Sequence, residues 1–432
     1  VQLTAAIFQG TKLSITAKPN ATSDGRVNVG EIDATGRDLK SVTLAGDLGR
    51  IRVGDLKSAT PAISALTVQS LGAYGATTGA PDLQTEMKGR AGTISVAGDV
   101  KDATLVHSKS ADNSSWNTSD STWVNKLTVG GSLVEGSVVG QYRTISIGGS
   151  VVGGSTADSG LIWGPMKQIF VGGDVLGSSG ARSGSIQGSA GTKAVIKGTV
   201  AGSSGANSGS VVASSIVVGK DVVGGNGLAS GSIGHFSLLT PENRPTTITI
   251  RGSLFGGAGQ FSGWLYADIV KSISVSGGVS GTMAQPLRIA ARSAIGTVKI
   301  GQTVRQATIR VGYGLPFGDY FSALQPSAST IGSVTIGGNL VESSIVAGVA
   351  PGPLGFGVGD TVQEGSTKCT IGSIRIGGSV MENTALTSYG IVGRSIKSLS
   401  IAGQKRTLPA PGQSEPIDGT DVRVHILPIS LG

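Results

Sequence analysis

The chain offers few groups that do chemistry. It holds three histidines, His107, His235 and His425, far apart and without an HxH or HxxxH pairing, so no metal-ligand spacing is present among them. A lone histidine in a strand-like run such as SIGHFS reads as structural. The single cysteine, Cys369, excludes an internal disulfide framework and a multi-cysteine metal centre. The carboxylates are more informative. Glu135, Glu342 and Glu382 hold the same place in VEGSVV, VESSIV and MENTAL. If those segments stack, Glu342 and Glu382 fall in neighbouring coils with carboxylates about 5 Å apart, a separation that retaining glycosidases use. Repetition creates such pairs by default, so a turn role comes first and a catalytic Glu342/Glu382 pair is the alternative. The corner residues Asp47, Asp99, Asp174 and Asp221 alternate with Ser, Thr and Asn in their column, as turn residues do. The calcium nonapeptide GGxGxD is absent, and no GK[ST] follows the GGNG and GSSG strings, so no phosphate loop is expected. No catalytic set, metal site or cofactor is assigned.

A second kind of chemistry, stacking on a ligand, needs aromatic rings, and only 4% of the chain is aromatic. Much of that allotment sits in long irregular stretches. Trp116 and Trp123 lie in His107–Lys126, and Tyr313, Phe317, Tyr320 and Phe321 lie in Gly312–Thr330. Leu239–Thr246 and Ala347–Thr370 are two further excursions. Loops carried on a rigid scaffold are where binding concentrates. The six aromatics are therefore the candidate binding residues, either stacking on sugar rings or sealing the scaffold by packing back over it.

The scaffold is legible as a repeat. An apolar-x-apolar-x-Gly-x-apolar phrase recurs as VTLAGDL (42–48), ISVAGDV (94–100), LTVGGSL (127–133), ISIGGSV (145–151), IFVGGDV (169–175) and IVVGKDV (216–222). It continues as ITIRGSL (248–254), ISVSGGV (273–279), VKIGQTV (298–304), VTIGGNL (334–340) and IRIGGSV (374–380). The usual interval is 22 to 25 residues, longer where loops are inserted, and such a period marks a solenoid. Alternation places the apolar residues on one face, and one strand cannot bury that face alone. A second strand follows each phrase (KDATLV, VEGSVV, RQATIR, VESSIV, MENTAL), with Ser or Thr always fourth, which predicts a stacked hydroxyl ladder. A third strand precedes the next phrase, as in TIGSV and TIGSI. Three short parallel strands per turn make an all-β, single-stranded parallel β-helix. About thirteen coils at roughly 4.8 Å would form a rod of roughly 60 Å, right-handed by the general handedness of parallel crossovers. Inserted loops are expected on one side.

Between residues 151 and 263 a glycine-serine phrase of constant length recurs, ending in Ser159, Ser183, Ser208, Ser230 and Ser262, each followed by Gly. The residues before those serines are Asp158, Arg182, Asn207, Ala229 and Phe261. No single chemistry runs down that column, so the phrase reads as a solvent-facing corner of the solenoid.

The totals agree with a repetitive scaffold. Of 432 residues 71 are Gly, 38% are hydrophobic and 14% charged, a composition too apolar for a disordered linker. No apolar run approaches the length needed to span a bilayer. The net charge of +8 is scattered rather than clustered. It reads as a solvated basic surface, or as attraction to anionic polymers; no nucleic-acid motif is present. The opening VQLTAAIFQG lacks an initiating Met and a signal-peptide pattern, which reads as a mature or excised piece of something longer, and the near cysteine-free, Gly/Ser/Thr-rich composition is compatible with bacterial export. Residues 1–26 are expected to form a cap or junction, 27–403 the solenoid, and the Pro-rich 404–432 a C-terminal cap with one strand.

The IGGSV and VGGDV phrases resemble the coils of right-handed β-helix proteins, among them exported bacterial adhesins, autotransporter passengers and repetitive surface proteins. The fold is similar to that of pectate lyases and polygalacturonases, but their clustered aspartates and Gly-His-Gly and Arg-x-Lys elements have no match here. The resemblance implies a non-enzymatic extracellular or cell-surface spacer or adhesin. Its partner would be a polysaccharide, an envelope component or further copies of itself. The alternatives are a β-helix lyase or glycoside hydrolase acting on an anionic polysaccharide and, less strongly supported, a self-assembling fibre subunit.

Overall fold

Short runs with Ile or Val at every second position bury one strand face and leave the other wet. The computed structural model describes residues 1–21, 24–55, 60–108, 123–235, 245–312, 328–353, 355–362, 368–382, 389–417 and 420–428. Those residues form a parallel β-helix, and the chain divides into two compact units, Val1–Ala213 and Ser214–Gly432.

In the first unit a representative coil consists of Tyr142–Ile147, Val151–Val152 and Ile162–Trp163. Each strand pairs in parallel with its counterparts in the preceding and following coils. Ile145 lies between Leu127 and Ile169, Val151 between Leu133 and Val175, and Ile162 between Val138 and Ile186. Every one of these side chains is fully buried, and each contributes about 1.5–3 kcal/mol of burial against its ordering entropy. The structure alters one detail of the expected coil. The seventh position of the phrase, Val151, starts a new strand after a bend at 148–150. The apolar residues still share one core, but around a corner.

That bend explains the mixed Asp/Ser/Thr/Asn column. The Asp99 carboxylate accepts the Ser132 N–H at 2.7 Å, Ser132 Oγ accepts the Ser150 N–H at 3.0 Å, and Ser150 Oγ accepts the Asp174 N–H at 3.0 Å. In the second unit Asp221, Ser253, Thr303 and Asn339 do the same for Ser253, Gly278, Asn339 and Ser379. Any short side chain with an oxygen acceptor serves, so the letters vary while the bond persists. A Cβ at Gly131 would collide with the Asp99 carboxylate oxygen and one at Gly149 with Ser132 Oγ. The second glycine of the GGS phrase therefore leaves room for the capping oxygen.

The serine phrase is also a corner, but its serines are inside it. Ser159, Ser183, Ser208, Ser230 and Ser262 are at most 3% exposed. Each hydroxyl accepts the backbone N–H of the residue five positions earlier, at 2.7 to 3.0 Å. Constant spacing follows from that bond. The predicted hydroxyl column of the next strand is in register, with Thr104 opposite Ser137 and Thr308 opposite Ser344. Its hydroxyls bond to backbone instead: Ser137 Oγ donates to the Asp158 carbonyl at 2.5 Å, and Ser344 Oγ accepts the Gly390 N–H at 3.1 Å.

In the second unit the third strand of one coil often runs straight into the first of the next, as in Leu265–Val275, Leu287–Ile300, Ala328–Ile336 and Lys368–Ile376. Ile295, Ile331 and Ile371 form one buried row of that stack. Arg423–Ile426 adds a parallel strand to Gly390–Gly393, and Ser414–Pro416 pairs antiparallel with it. In the first unit Lys12–Ile15 pairs in parallel with Ser41–Leu44, so pairing begins ahead of the first sequence repeat. Part of the Ala347–Thr370 excursion is a hairpin, Val349–Ala350 against Thr361–Val362. Its Phe356 and Val362 pack on Val346, Val349, Val392 and Leu427. Among the described residues no helix is long and apolar enough to cross a membrane.

Candidate functional site

A corner in the left-handed backbone region recurs in successive coils and carries charged side chains in the first unit. Asp102, Glu135, Asp158 and Arg182 have φ of 53°, 57°, 63° and 54°. A non-glycine residue there costs roughly 1–2 kcal/mol, an amount met by the paired coils on either side. The corners differ in length. Two residues, Glu135 and Gly136, join Val134 to Ser137, whereas eight, Gly153 to Gly160, join Val152 to Leu161. Asp102 and Ala103 form a corner of the short kind one coil earlier. The first long corner therefore steps outward beyond its short neighbours.

A groove of about 590 Å³ lies along that step, within the size range of small-ligand sites. Asp102, Glu135 and Ser137 line it from the short corners, and Thr156, Asp158 and Arg182 from the long ones. Its third side is the outward row Val139, Trp163 and Gln187, which stand opposite one another in three consecutive coils. Trp163 is 48% exposed, so its ring offers apolar surface beside carboxylates. Glu135 reaches over Gly154, where a Cβ would sit 2.5 Å from Glu135 Oε2. Arg182 donates two hydrogen bonds to Asp158, Nε to Oδ1 at 2.6 Å and Nη2 to Oδ2 at 2.7 Å. These bonds hold the guanidinium above its ordinary pKa. Among the described residues, three carboxylates against one guanidinium give the lining a formal charge of −2, opposite in sign to the chain as a whole.

Of the binding aromatics expected from sequence, one, Trp123, is among the described residues. Trp123 is buried, 8% exposed, and its carbonyl accepts the Ala91 N–H. Trp116, Tyr313, Phe317, Tyr320 and Phe321 lie outside the described residues. Glu342 and Glu382 are brought into adjacent coils, since Leu340 and Val341 pair with Val380 and Met381. Glu342 is buried at the same left-handed corner, φ 47°, and accepts a hydrogen bond from Gln306 Nε2 at 3.0 Å. The Glu382 carboxyl is pushed above its ordinary pKa by burial first, then by the charges of Asp421 and Glu342.

The histidines have structural settings where they are described. His107 is fully buried; Nε2 donates to the Gly89 carbonyl at 2.9 Å, and burial lowers its pKa to about 4. His425 Nδ1 lies 2.9 Å from the buried Asp360 carboxylate. Among the described residues no three His, Cys, Asp or Glu side chains are grouped to hold a metal ion.

Sequence reasoning passed over Trp163 and did not join the corner charges into one site. The available signal was the change from a two-residue to an eight-residue corner, which leaves one face of the strand after it beside a ledge. Comparison with family models, with curated proteins and with solved structures returns no match to this chain.

Proposed function

We propose that this chain is a non-enzymatic, exported surface or matrix β-solenoid of the adhesin kind that binds polysaccharide through the groove at Trp163. The supporting observation is a half-exposed indole flanked by Asp102, Glu135 and Asp158. The apolar face of a pyranose packs on an indole ring, while carboxylates accept strong hydrogen bonds from its hydroxyl groups. The groove runs across several coils, which suits a linear polymer better than a free monosaccharide. A glycan array, run beside a turnover assay on the same polymers, tests the reading. Binding without turnover, weakened on the order of tenfold or more by Trp163→Ala, is the expected result. Unchanged binding in that variant removes the groove from the account.

A hydrolytic reading is favoured by one observation, the raised Glu382 carboxyl beside Glu342. A carboxyl whose pKa is raised next to a carboxylate is the pairing that general acid catalysis of glycoside cleavage uses. Turnover abolished by both Glu382→Gln and Glu342→Gln, with binding kept, would establish it in place of the adhesin role.

A further inference from the structure

We infer that the groove is a charge filter, accepting neutral saccharide and rejecting carboxylated or sulfated chains, with Asp158 the residue that sets the filter. This rests on the glycan reading of the site and fixes the class of glycan. A basic chain of net charge +8 invites a polyanion, and a long-range field would steer one toward the surface. The groove itself opposes that. Arg182, the one cationic side chain of its lining among the described residues, has its Nε/Nη2 edge taken by both oxygens of Asp158. A bidentate contact of this kind is the one that a uronate carboxylate would need. A uronate must therefore either displace Asp158 from the Nε/Nη2 edge or take the remaining Nη1/Nη2 edge of a guanidinium that Asp158 already neutralises, in both cases while approaching Asp102 and Glu135.

Asp158 is built into place. Its N–H donates to the Ala181 carbonyl at 2.9 Å, and its own carbonyl accepts from Ser137 Oγ at 2.5 Å. The left-handed corner is thus fixed on both coils, and the carboxylate is presented to Arg182 without rearrangement. Asn207 takes the same conformation in the same column, φ 54°. Asp158→Asn is accordingly a variant that the fold accepts, and Asn is among the residues that best tolerate such φ values.

The test reads the filter with and without a sugar. Trp163 fluorescence, isolated as the difference between the parent and Trp163→Phe, is quenched with iodide and with caesium at equal ionic strength. Relative to free N-acetyltryptophanamide, caesium is expected to quench more strongly than iodide, and Glu135→Gln and Asp158→Asn should each narrow that gap. Neutral oligosaccharides should protect Trp163 while uronate oligosaccharides do not. Only Asp158→Asn, which opens the guanidinium fork, should gain uronate protection, by roughly tenfold in affinity. Equal normalised quenching of the parent by the two ions overturns the filter whatever the sugars do, as does protection of the parent by uronates. A caesium preference with no protection by any saccharide upholds the filter and overturns the glycan reading.

Discussion

The Asp174 carboxylate accepts the backbone N–H of Thr199 at 2.7 Å, one coil on and 25 residues away in sequence. The same residue's N–H donates to Ser150 Oγ, so each corner is capped by the coil before it and caps the coil after it. Asp174→Ala leaves the Thr199 N–H without its acceptor and should cost about 1–2 kcal/mol, as loss of a helix N-cap does. Asp174→Ser and Asp174→Asn supply the acceptor that other coils use and should cost less than half as much. Denaturant midpoints of the three variants check the ranking. Equal losses in all three would show that the carboxylate acts by charge instead.

The corner serines act the other way, within one coil. Ser230 is fully buried; its hydroxyl accepts the Gly225 N–H at 3.0 Å and donates to the Gly227 carbonyl at 2.9 Å. Ser230→Ala leaves the Gly225 N–H without its acceptor, while the Gly227 carbonyl keeps the Ser230 N–H at 3.3 Å, and an unpaired donor costs about 1–3 kcal/mol. Faster hydrogen exchange at the Gly225 amide, with distant coils unchanged, is the local signature expected.

His107 makes the first unit sensitive to acid. Its folded pKa of about 4 lies below the ordinary 6.5 because burial opposes the imidazolium. Above pH 6.5 neither folded nor unfolded chain carries the proton, and the full stability is present. As pH falls from 6.5 to 4 the unfolded chain takes up a proton that the folded chain refuses, so stability is lost across that window. The cumulative loss approaches about 3 kcal/mol. Urea unfolding of the parent and of His107→Gln at pH 7, 5.5 and 4 isolates the effect, since the variant should lack this component of the slope.

Alternation of apolar residues made the coils legible, because a period of two and a spacing of 22 to 25 residues leave one way to bury Ile145, Val151 and Ile162 together. The corners were less legible. The apolar letters of ISIGGSV do not reveal that Gly148 to Ser150 bend the chain, since a straight strand and a corner bury the same letters; the sign of the turn lay in the Asp/Ser/Thr/Asn column beside them. The groove was the least legible part. It depends on a difference between neighbouring corners, whereas comparing copies emphasises what they share. Reading Asp158, Arg182, Asn207, Ala229 and Phe261 as one mixed column averaged away the contact between its first two members. Trp163 has Val139 and Gln187 as counterparts, so no repetition drew attention to it.

Glu382 reverses the usual sign for a carboxylate. Burial, Asp421 and Glu342 all oppose its ionised form, and together they outweigh the Asp421 N–H that favours it. Its folded pKa is raised above the unfolded value, so its contribution to stability is complete below the unfolded pKa and is lost as pH rises through the folded one. Ionising this side chain is therefore a burden on the folded chain. Glu382→Gln keeps the shape and an acceptor for the Asp421 N–H while removing the charge. It should melt about 1–3 °C higher than the parent at pH 7, an advantage that shrinks as pH falls toward 4. Asp421→Asn removes one of the opposing charges and should give a smaller rise of the same sign. A Glu382→Gln protein less stable than the parent at pH 7 would mean that the ionised carboxylate has a favourable partner, and the Glu342/Glu382 pairing would have to be abandoned as a source of a proton-holding acid.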